Sequence, residues 1–266
     1  MGSIVITGVS GGMGSAAAAQ FLKKGYDVWG LDVKEPVHAG GIRFVGCDLT
    51  DPVSVTEACS VILKEAGSVD AVIHMAGIYD LDSLIEMDEE AFRRIFEINL
   101  FGVYRLNRTI LPMLKEGGRI VITTSELAPL DPLPFTGIYG ITKTALEKYA
   151  EALRMELQLI DRSVIVIRPG AVDTGLLDVS TEKLDAFCEK TALYSYNAGR
   201  FRRIVDKVES RNIAPQVIAK IAYRAVTRKR PRFTYNVNRN PLLRLLNLLP
   251  LRMQCRIIKG ILKEKD

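Results

Sequence analysis

The sequence predicts an α/β fold: a doubly wound parallel sheet in a single domain. Three observations point there. Short β-branched, apolar runs alternate with longer stretches of helical period. The runs are apolar almost throughout, as in strands buried on both faces. Strands that alternate with helices imply right-handed parallel crossovers, with helices covering both sides of the sheet.

Taken in order, SIVITG (3–8) reads as the first strand and GSAAAAQFLKKG (14–25) as a helix ending at Gly25. DVWGLDV (27–33) and IRFVGCDL (42–49) read as the second and third strands, followed by a helix over 52–67. DAVIHMAG (70–77) is the fourth strand. Residues 88–117 hold a long helix, and GRIVITTSE (118–126) is the fifth strand. A helix opens near Tyr139, and SVIVIRPG (163–170) is the sixth strand.

With 266 residues, 48% of them hydrophobic and 25% charged, the chain suffices for a large core without repeats or low-complexity tracts. The four cysteines, Cys47, Cys59, Cys188 and Cys255, form no C-x-x-C pair, which suits a reducing, cytoplasmic setting. MGSIVITG runs straight into a strand, so a targeting segment is not expected, and no apolar run approaches the roughly 20 residues needed to span a bilayer. The net charge is +5, with many bases late in the chain. A basic tail can bind nucleic acid, but aromatic interleaving is thin here and a leucine-rich stripe accompanies the charges, so nucleic acid is not the expected partner.

TGVSGGMG (7–14) joins the first strand to the first helix. Gly8 allows a tight turn, Gly12 a close backbone approach to a pyrophosphate, and Gly14 close packing of helix on sheet. The helix N-terminus offers free N–H groups and a positive dipole end. Ser10 and Met13 complete the turn. Asp32 ends the second strand, where a carboxylate accepts hydrogen bonds from both ribose hydroxyls and repels a 2′-phosphate, favouring NAD over NADP. Lys34 softens that repulsion, while Ser10 stands where an NADP enzyme often has a base. Asp48, with Leu49, ends the third strand, in reach of an adenine amino group; Thr50 or Asp51 is better placed to cap the next helix.

These residues resemble the short-chain dehydrogenase/reductase family, in a hydroxysteroid-dehydrogenase-like form. TGVSGGMG, Asp48-Leu49, Ala76-Gly77, Asn99, Ser125, Tyr139-x-x-x-Lys143 and RPGAVDT (168–174) occur in the family's order, over about residues 1–175. The resemblance implies a Rossmann-like fold and hydride transfer between a nicotinamide and an alcohol or carbonyl. It makes Tyr139 the acid/base, Lys143 its activator and holder of the nicotinamide ribose, Ser125 the substrate-oxygen partner and Asn99 the proton-relay anchor. Pro169, Val172 and Thr174 border the nicotinamide. Two departures stand out. His74 replaces an asparagine that ties the sheet in many members and is read as structural. The loop between Ser125 and Tyr139 is read as carrying one extra residue. Thr124, a weaker candidate for the serine role, faces the other side of its strand.

The Tyr139–Lys143 spacing puts both side chains on one helical face. A free tyrosine, with a pKa near 10, is a poor base at neutral pH. A cation roughly 4–5 Å away contributes about 3–4 kcal/mol at an effective dielectric of about 20, or some 2–3 pKa units before desolvation opposes it. The lysine is thus expected to favour the phenolate. In oxidation Tyr139 takes the alcohol proton, and in reduction it returns one. Ser125 hydrogen-bonds the substrate oxygen. The two histidines, His38 and His74, show no metal-ligand spacing, and no metal is expected.

Beyond the core (1–175), residues 175–212 are expected to form a substrate lid, with Leu176, Leu177, Phe187, Tyr194, Tyr196 and Phe201 either walling the site or packing the lid's own helices. Its length suits a bulky, hydrophobic substrate. Residues 238–266 form a basic amphipathic tail, expected to close the site or pack on the core, with peripheral membrane contact as the alternative. The resemblance also implies a homodimer or homotetramer paired through the helices of 88–115 and 139–160. The leading reading is an NAD-dependent dehydrogenase or ketone reductase for a hydroxysteroid, bile acid or other lipid. The alternatives are a 3-oxoacyl-thioester reductase, which usually prefers NADPH, and a non-catalytic dinucleotide sensor, which typically lacks the tyrosine or lysine.

Overall fold

Strands β1 (Ser3–Thr7), β2 (Asp27–Asp32), β3 (Ile42–Gly46), β4 (Val69–His74), β5 (Leu114–Thr123), β6 (Ser163–Pro169) and β7 (Thr234–Val237) form one sheet. Their order is β3-β2-β1-β4-β5-β6-β7, and every pairing is parallel. The structure is a computed structural model describing residues 2–37, 40–209 and 211–263; His38, Ser210 of the lid and the last three residues of the tail lie outside the described residues.

Alternation along each strand divides the core into two layers. On one face Val5, Trp29, Val72, Ile120 and Val164 pack against α2 (Pro52–Ala66), α4 (Gly102–Ile110) and α5 (Gly137–Leu157). On the other, Ile4, Ile6, Val28, Ile73, Val121 and Ile165 pack against α1 (Gly12–Leu22) and α8 (Pro215–Thr227). Small residues let those two helices approach closely: Ala17 and Ala18 of α1, and Ala219 and Ala222 of α8, are essentially fully buried.

The chain winds outward from β1 through β2 to β3, then returns to lay β4 on the other side of β1. The crevice at that reversal, outside the carboxyl ends of the strands, is where ligands bind in such sheets.

Several boundaries differ from the sequence reading. α1 begins at Gly12, two residues earlier, because the glycine turn itself opens the helix. Residues 88–117 hold no single helix. α3 (Glu89–Phe96) runs into a π turn (Glu97–Phe101), then α4, then a 3₁₀ turn at Leu111–Met113 containing Pro112. Proline lacks the N–H that would continue the helix. Leu114, buried, already pairs with Val69, so β5 starts four residues earlier than the alternation of GRIVITT suggests. β7 was not anticipated: its four residues, TYNV, are only partly buried and lie at the sheet edge beside β6.

The lid comprises α6 (Gly175–Lys190) and α7 (Ser195–Glu209). The tail is two helices, α9 (Pro241–Leu246) and α10 (Leu251–Leu262), separated at Pro250. No helix among the described residues is long and apolar enough to cross a membrane.

Candidate active site

Two cavities meet at the carboxyl ends of the strands. The first, of 690 Å³, is lined by Gly8, Gly11, Asp32, Asp48, Leu49 and Ala76, among others. The second is lined by Met13, Ser125, Tyr139, Lys143, Pro169, Val172 and Thr174, with apolar walls. Met75, Gly77 and Ile78 belong to both, so one cleft crosses the sheet from β3 to β6.

The glycine turn is built by exclusion. Gly8 has φ +69°, and a Cβ there would lie 2.6 Å from the backbone nitrogen of Ala76. A Cβ on Gly14 would lie 2.0 Å from the Gly8 carbonyl oxygen. Gly11, in the N-cap position, provides no side-chain cap to α1, so the first N–H groups of the helix are left for an incoming group. Gly12 abuts Thr174, whose Cγ2 would lie 2.7 Å from an added Cβ, and Gly11 lines the cavity. Ser10 is tied to the wall of the cleft: its hydroxyl donates to the Lys34 carbonyl and its N–H to Asp32 Oδ2 at 3.0 Å. Thr7, overlooked in the sequence, accepts from the N–H groups of Met75 and Ala76 at 3.2 and 3.1 Å and holds the end of β4 against the turn.

Asp32 and Asp48 stand at the ends of β2 and just beyond β3. Asp32 Oδ1 accepts from Val33 N at 2.8 Å, and Asp48 Oδ1 from Thr50 N at 2.8 Å. Asp51 is the cap of α2, accepting from Val53 N at 2.9 Å, which leaves Asp48 on the cavity wall.

The π turn places Asn99. Its Oδ1 accepts from Ile78 N and its Nδ2 donates to Ile78 O, both at 2.9 Å, with a further bond to Thr142 Oγ1 at 3.2 Å. This amide therefore pins the chain leaving β4, next to Gly77. Such π turns recur at functional sites.

Tyr139 and Lys143 are almost fully buried on the first turns of α5. Burial pushes the Tyr139 phenol up to about 12, opposed by a hydrogen bond with Ser125. It pushes the Lys143 ammonium down to about 8. Lys143 Nζ lies 5.6 Å from the Tyr139 ring centre and donates to the Thr123 carbonyl at 3.3 Å. The phenol is thus raised where the Coulombic expectation had it lowered: loss of water is the largest cause, and Ser125 is the neighbour that favours the phenolate. Thr124 also lines the cavity, but its hydroxyl is committed to α5, donating to Glu147 Oε2 at 3.3 Å.

Residues 3–185 match the family model described as short chain dehydrogenase. The chain belongs to the short-chain dehydrogenase family. It is 29% identical to a 3-ketodihydrosphingosine reductase of Bacteroides thetaiotaomicron, over 91% of this chain and 89% of that protein. It is 28% identical to an NADPH-dependent 3-dehydrocapnine reductase of Ornithobacterium rhinotracheale, over 98% and 97%. Among solved structures, the ligand-free aldohexose dehydrogenase of Thermoplasma acidophilum superposes with a TM-score of 0.75 at 22% identity, over 90% of this chain and 93% of that one. The fold is thus shared, and the chain is an oxidoreductase of this family.

A short-chain dehydrogenase takes a nicotinamide dinucleotide, and this cleft suits one: it is continuous, has glycines where a Cβ would clash, an uncapped helix N-terminus on one side and the Ser125–Tyr139 pair at the far end. Gly8, Gly11, Asp32, Asp48, Leu49, Ala76 and Gly77 would hold its adenosine side. Met13, Lys143, Pro169, Val172 and Thr174 would hold its nicotinamide side.

Of the expected lid residues, Leu176, Leu177 and Phe201 line the cavity. Phe187 is buried within the lid, against Leu81 and Leu184, and its ring lies 4.6 Å from that of Phe135. Tyr194 packs on Phe135 at 5.2 Å, and Tyr196 is exposed. Phe135 of the Ser125–Tyr139 loop, at the unusual φ of 65°, meets the rings of Phe187 and Tyr194 and that of Phe201 at 5.3 Å.

Three polar arrangements join separate segments, the first through His74, read from the sequence as structural. His74 Nε2 bonds Asn107 Oδ1 at 2.7 Å, and Asn107 Nδ2 donates to Tyr149 Oη at 3.1 Å. Burial holds the imidazole neutral, with its pKa lowered to about 4. Glu147 pairs with Arg168, tying α5 to β6 just before Pro169. Glu126, beside Ser125 and lining the cavity, is buried and accepts from Asn240 N. A glutamate one turn beyond Lys143 on an otherwise inward face was the available signal for Glu147; Glu126 had none.

Proposed function

We propose that this enzyme is an NAD-linked reductase of a bulky hydrophobic ketone, and the corresponding alcohol's dehydrogenase in reverse. The observation that carries this reading is the convergence of Ser125, Tyr139 and Lys143 on the wall of one apolar cavity. When bound, the nicotinamide supplies or accepts the hydride. Ser125 orients the substrate oxygen, and Tyr139, a phenol that burial keeps protonated at neutral pH, gives its proton to the oxygen of the nascent alcohol. Lys143, fixed to the Thr123 carbonyl, keeps a positive charge close to the phenol as it releases that proton.

Ile78, Leu127, Leu133, Leu177, Phe201 and Val205 form a cavity wall suited to aliphatic or ring carbon, excluding water from the proton transfer. The names of the Bacteroides and Ornithobacterium relatives, both reductases of 3-keto or 3-dehydro compounds, support reduction as the working direction. The carboxylate of Asp32 supports NAD, since it would repel a 2′-phosphate. The NADPH-dependent relative is the reason to assay both cofactors. Half-exposed Phe101 and Tyr104, beside α4, and Ile141 of α5 support a homodimer through these helices. Four free cysteines suit a reducing cytoplasm.

The test is the fall in absorbance at the reduced-nicotinamide band with purified protein, NADH or NADPH, and ketosteroids, long-chain 3-ketones and short ketones. The reading expects turnover of a hydrophobic ketone, faster with NADH. Turnover of short ketones alone, or with NADPH alone, would overturn the substrate or the cofactor assignment respectively.

A further inference from the structure

The tail closes the catalytic cavity on one side and leaves an apolar face open on the other. Leu243 lines the cavity, Ile258 and Leu262 of α10 pack against the lid, and Gln254 donates to Asp131 Oδ2 at 2.7 Å. On the outer side Leu242, Leu245, Leu248 and Leu251 are 61–80% exposed, spaced three residues apart so that they follow one side of α9 and the turn after it. Met253, Ile257 and Ile261 continue the exposed apolar surface along α10 at a spacing of four. Isolated exposed leucines are ordinary, but a row of seven large apolar side chains on two consecutive helices marks a contact surface.

Charge identifies what it contacts. Residues 240–263 contain Arg244, Arg252, Arg256, Lys259 and Lys263, and no acidic residue. On α10, Arg252, Arg256 and Lys259 flank the apolar row on the side away from the buried stripe. Beside it a cleft of 420 Å³ is lined by Arg200, Arg203 and Arg211 together with Ile204, Leu242 and Ile261. Among the described residues no carboxylate pairs with any of these three arginines, whereas neighbouring Arg202 is paired with Asp185. A second copy docking face to face would set this basic surface against itself. Leucines rimmed by unpaired cations instead match an anionic lipid surface, with side chains in the acyl boundary and guanidinium groups at the phosphates.

We propose that the α9–α10 face, with the arginine cleft beside it, docks the protein peripherally on an anionic membrane. Ile204 lines both the arginine cleft and the catalytic cavity, so docking sets the cavity mouth at the lipid boundary. The inference goes beyond the catalytic reading and does not depend on it.

The experiment is flotation of the full-length protein with phosphatidylcholine vesicles, with and without a third of phosphatidylglycerol. We expect about tenfold or more protein on the anionic vesicles, lost in high salt. Leu245→Glu/Leu248→Glu and Arg256→Glu/Lys259→Glu should each abolish flotation. Circular dichroism would check that both variants stay folded, since all four side chains point to solvent. No binding to anionic vesicles by the wild-type protein would overturn the proposal, as would equal binding to neutral ones. Concentration-dependent self-association that the leucine variant abolishes, without flotation, would assign the face to a second copy and overturn it as well.

Discussion

The Glu126 carboxylate accepts a hydrogen bond from the backbone N–H of Asn240, 2.5 Å away, at the wall of the substrate cavity that Glu126 lines. One residue follows Ser125; the other caps α9 through its own side chain, which accepts from Leu242 N at 2.9 Å. This contact joins the end of the catalytic strand to the tail, alongside those that Asp131 of the following loop makes with Asn247 and Gln254. Burial raises the Glu126 pKa, and the Asn240 N–H and the nearby Arg239 oppose that rise. Glu126→Ala should cost about 1–3 kcal/mol, as loss of a buried hydrogen bond to a charged acceptor does. Limited proteolysis should then cut the tail faster than in the wild type, and KM for a hydrophobic ketone should rise. An unchanged digestion pattern would remove this link from the account of site closure.

Tyr139→Phe should lower kcat by about 10²–10⁴-fold, the usual contribution of a positioned general acid, while calorimetry shows dinucleotide binding nearly intact. In the ligand-free wild type, ultraviolet difference titration should show no tyrosinate from residue 139 below about pH 10, since burial holds its phenol near 12. Earlier ionisation at this residue would mean that Lys143 dominates after all.

Gly8→Ala tests the turn. The positive φ and the 2.6 Å approach to Ala76 N leave no room for a methyl group. Strain of this kind costs of order 1–3 kcal/mol, beyond any displacement of β4. The variant should lose affinity for dinucleotide and melt several degrees lower; wild-type affinity would show that the turn is not part of the binding site.

Asp32→Ala should weaken NADH and raise the ratio of kcat/KM for NADPH over NADH. Removing the carboxylate takes away both a ribose acceptor and a charge that repels the 2′-phosphate. The measurement is steady-state kinetics with each cofactor, and an unchanged ratio would shift the origin of preference to Lys34 or another base.

His74 makes a pH prediction with a definite sign. Its pKa is lowered from 6.5 to about 4 in the folded chain, so between those values the unfolded state binds the extra proton. Stability therefore falls as pH drops from 6.5 toward 4, by up to about 3 kcal/mol. His74→Asn should flatten that part of the stability–pH curve measured by urea unfolding. In the wild type, the proton resonance assigned by this substitution should not move between pH 7 and 5.

Much of the fold and the reacting core was legible because its signals are local. Apolar runs announced six strands, and Gly8, Gly14, Tyr139 and Lys143 sit within a few residues of the turns and helix starts that orient them. Spacing along the chain is spacing in space inside one helix or one turn. β7 was illegible because TYNV is short and polar, and only β6 beside it makes it a strand. The early start of β5 depended on Val69 being opposite Leu114.

The sequence alone determined the layered α/β architecture, the glycine turn and the tyrosine–lysine pair, since backbone sterics and helical period act over neighbouring residues. Tertiary structure decided the rest: that burial dominates the Tyr139 phenol, that Gly12 abuts Thr174, and which lid aromatics meet the cavity. It also joined Glu126 to Asn240 and His74 to Asn107. Desolvation and hydrogen bonding between segments depend on which surfaces come together, and residues 33 or 114 positions apart carry no mutual signal until the chain has folded.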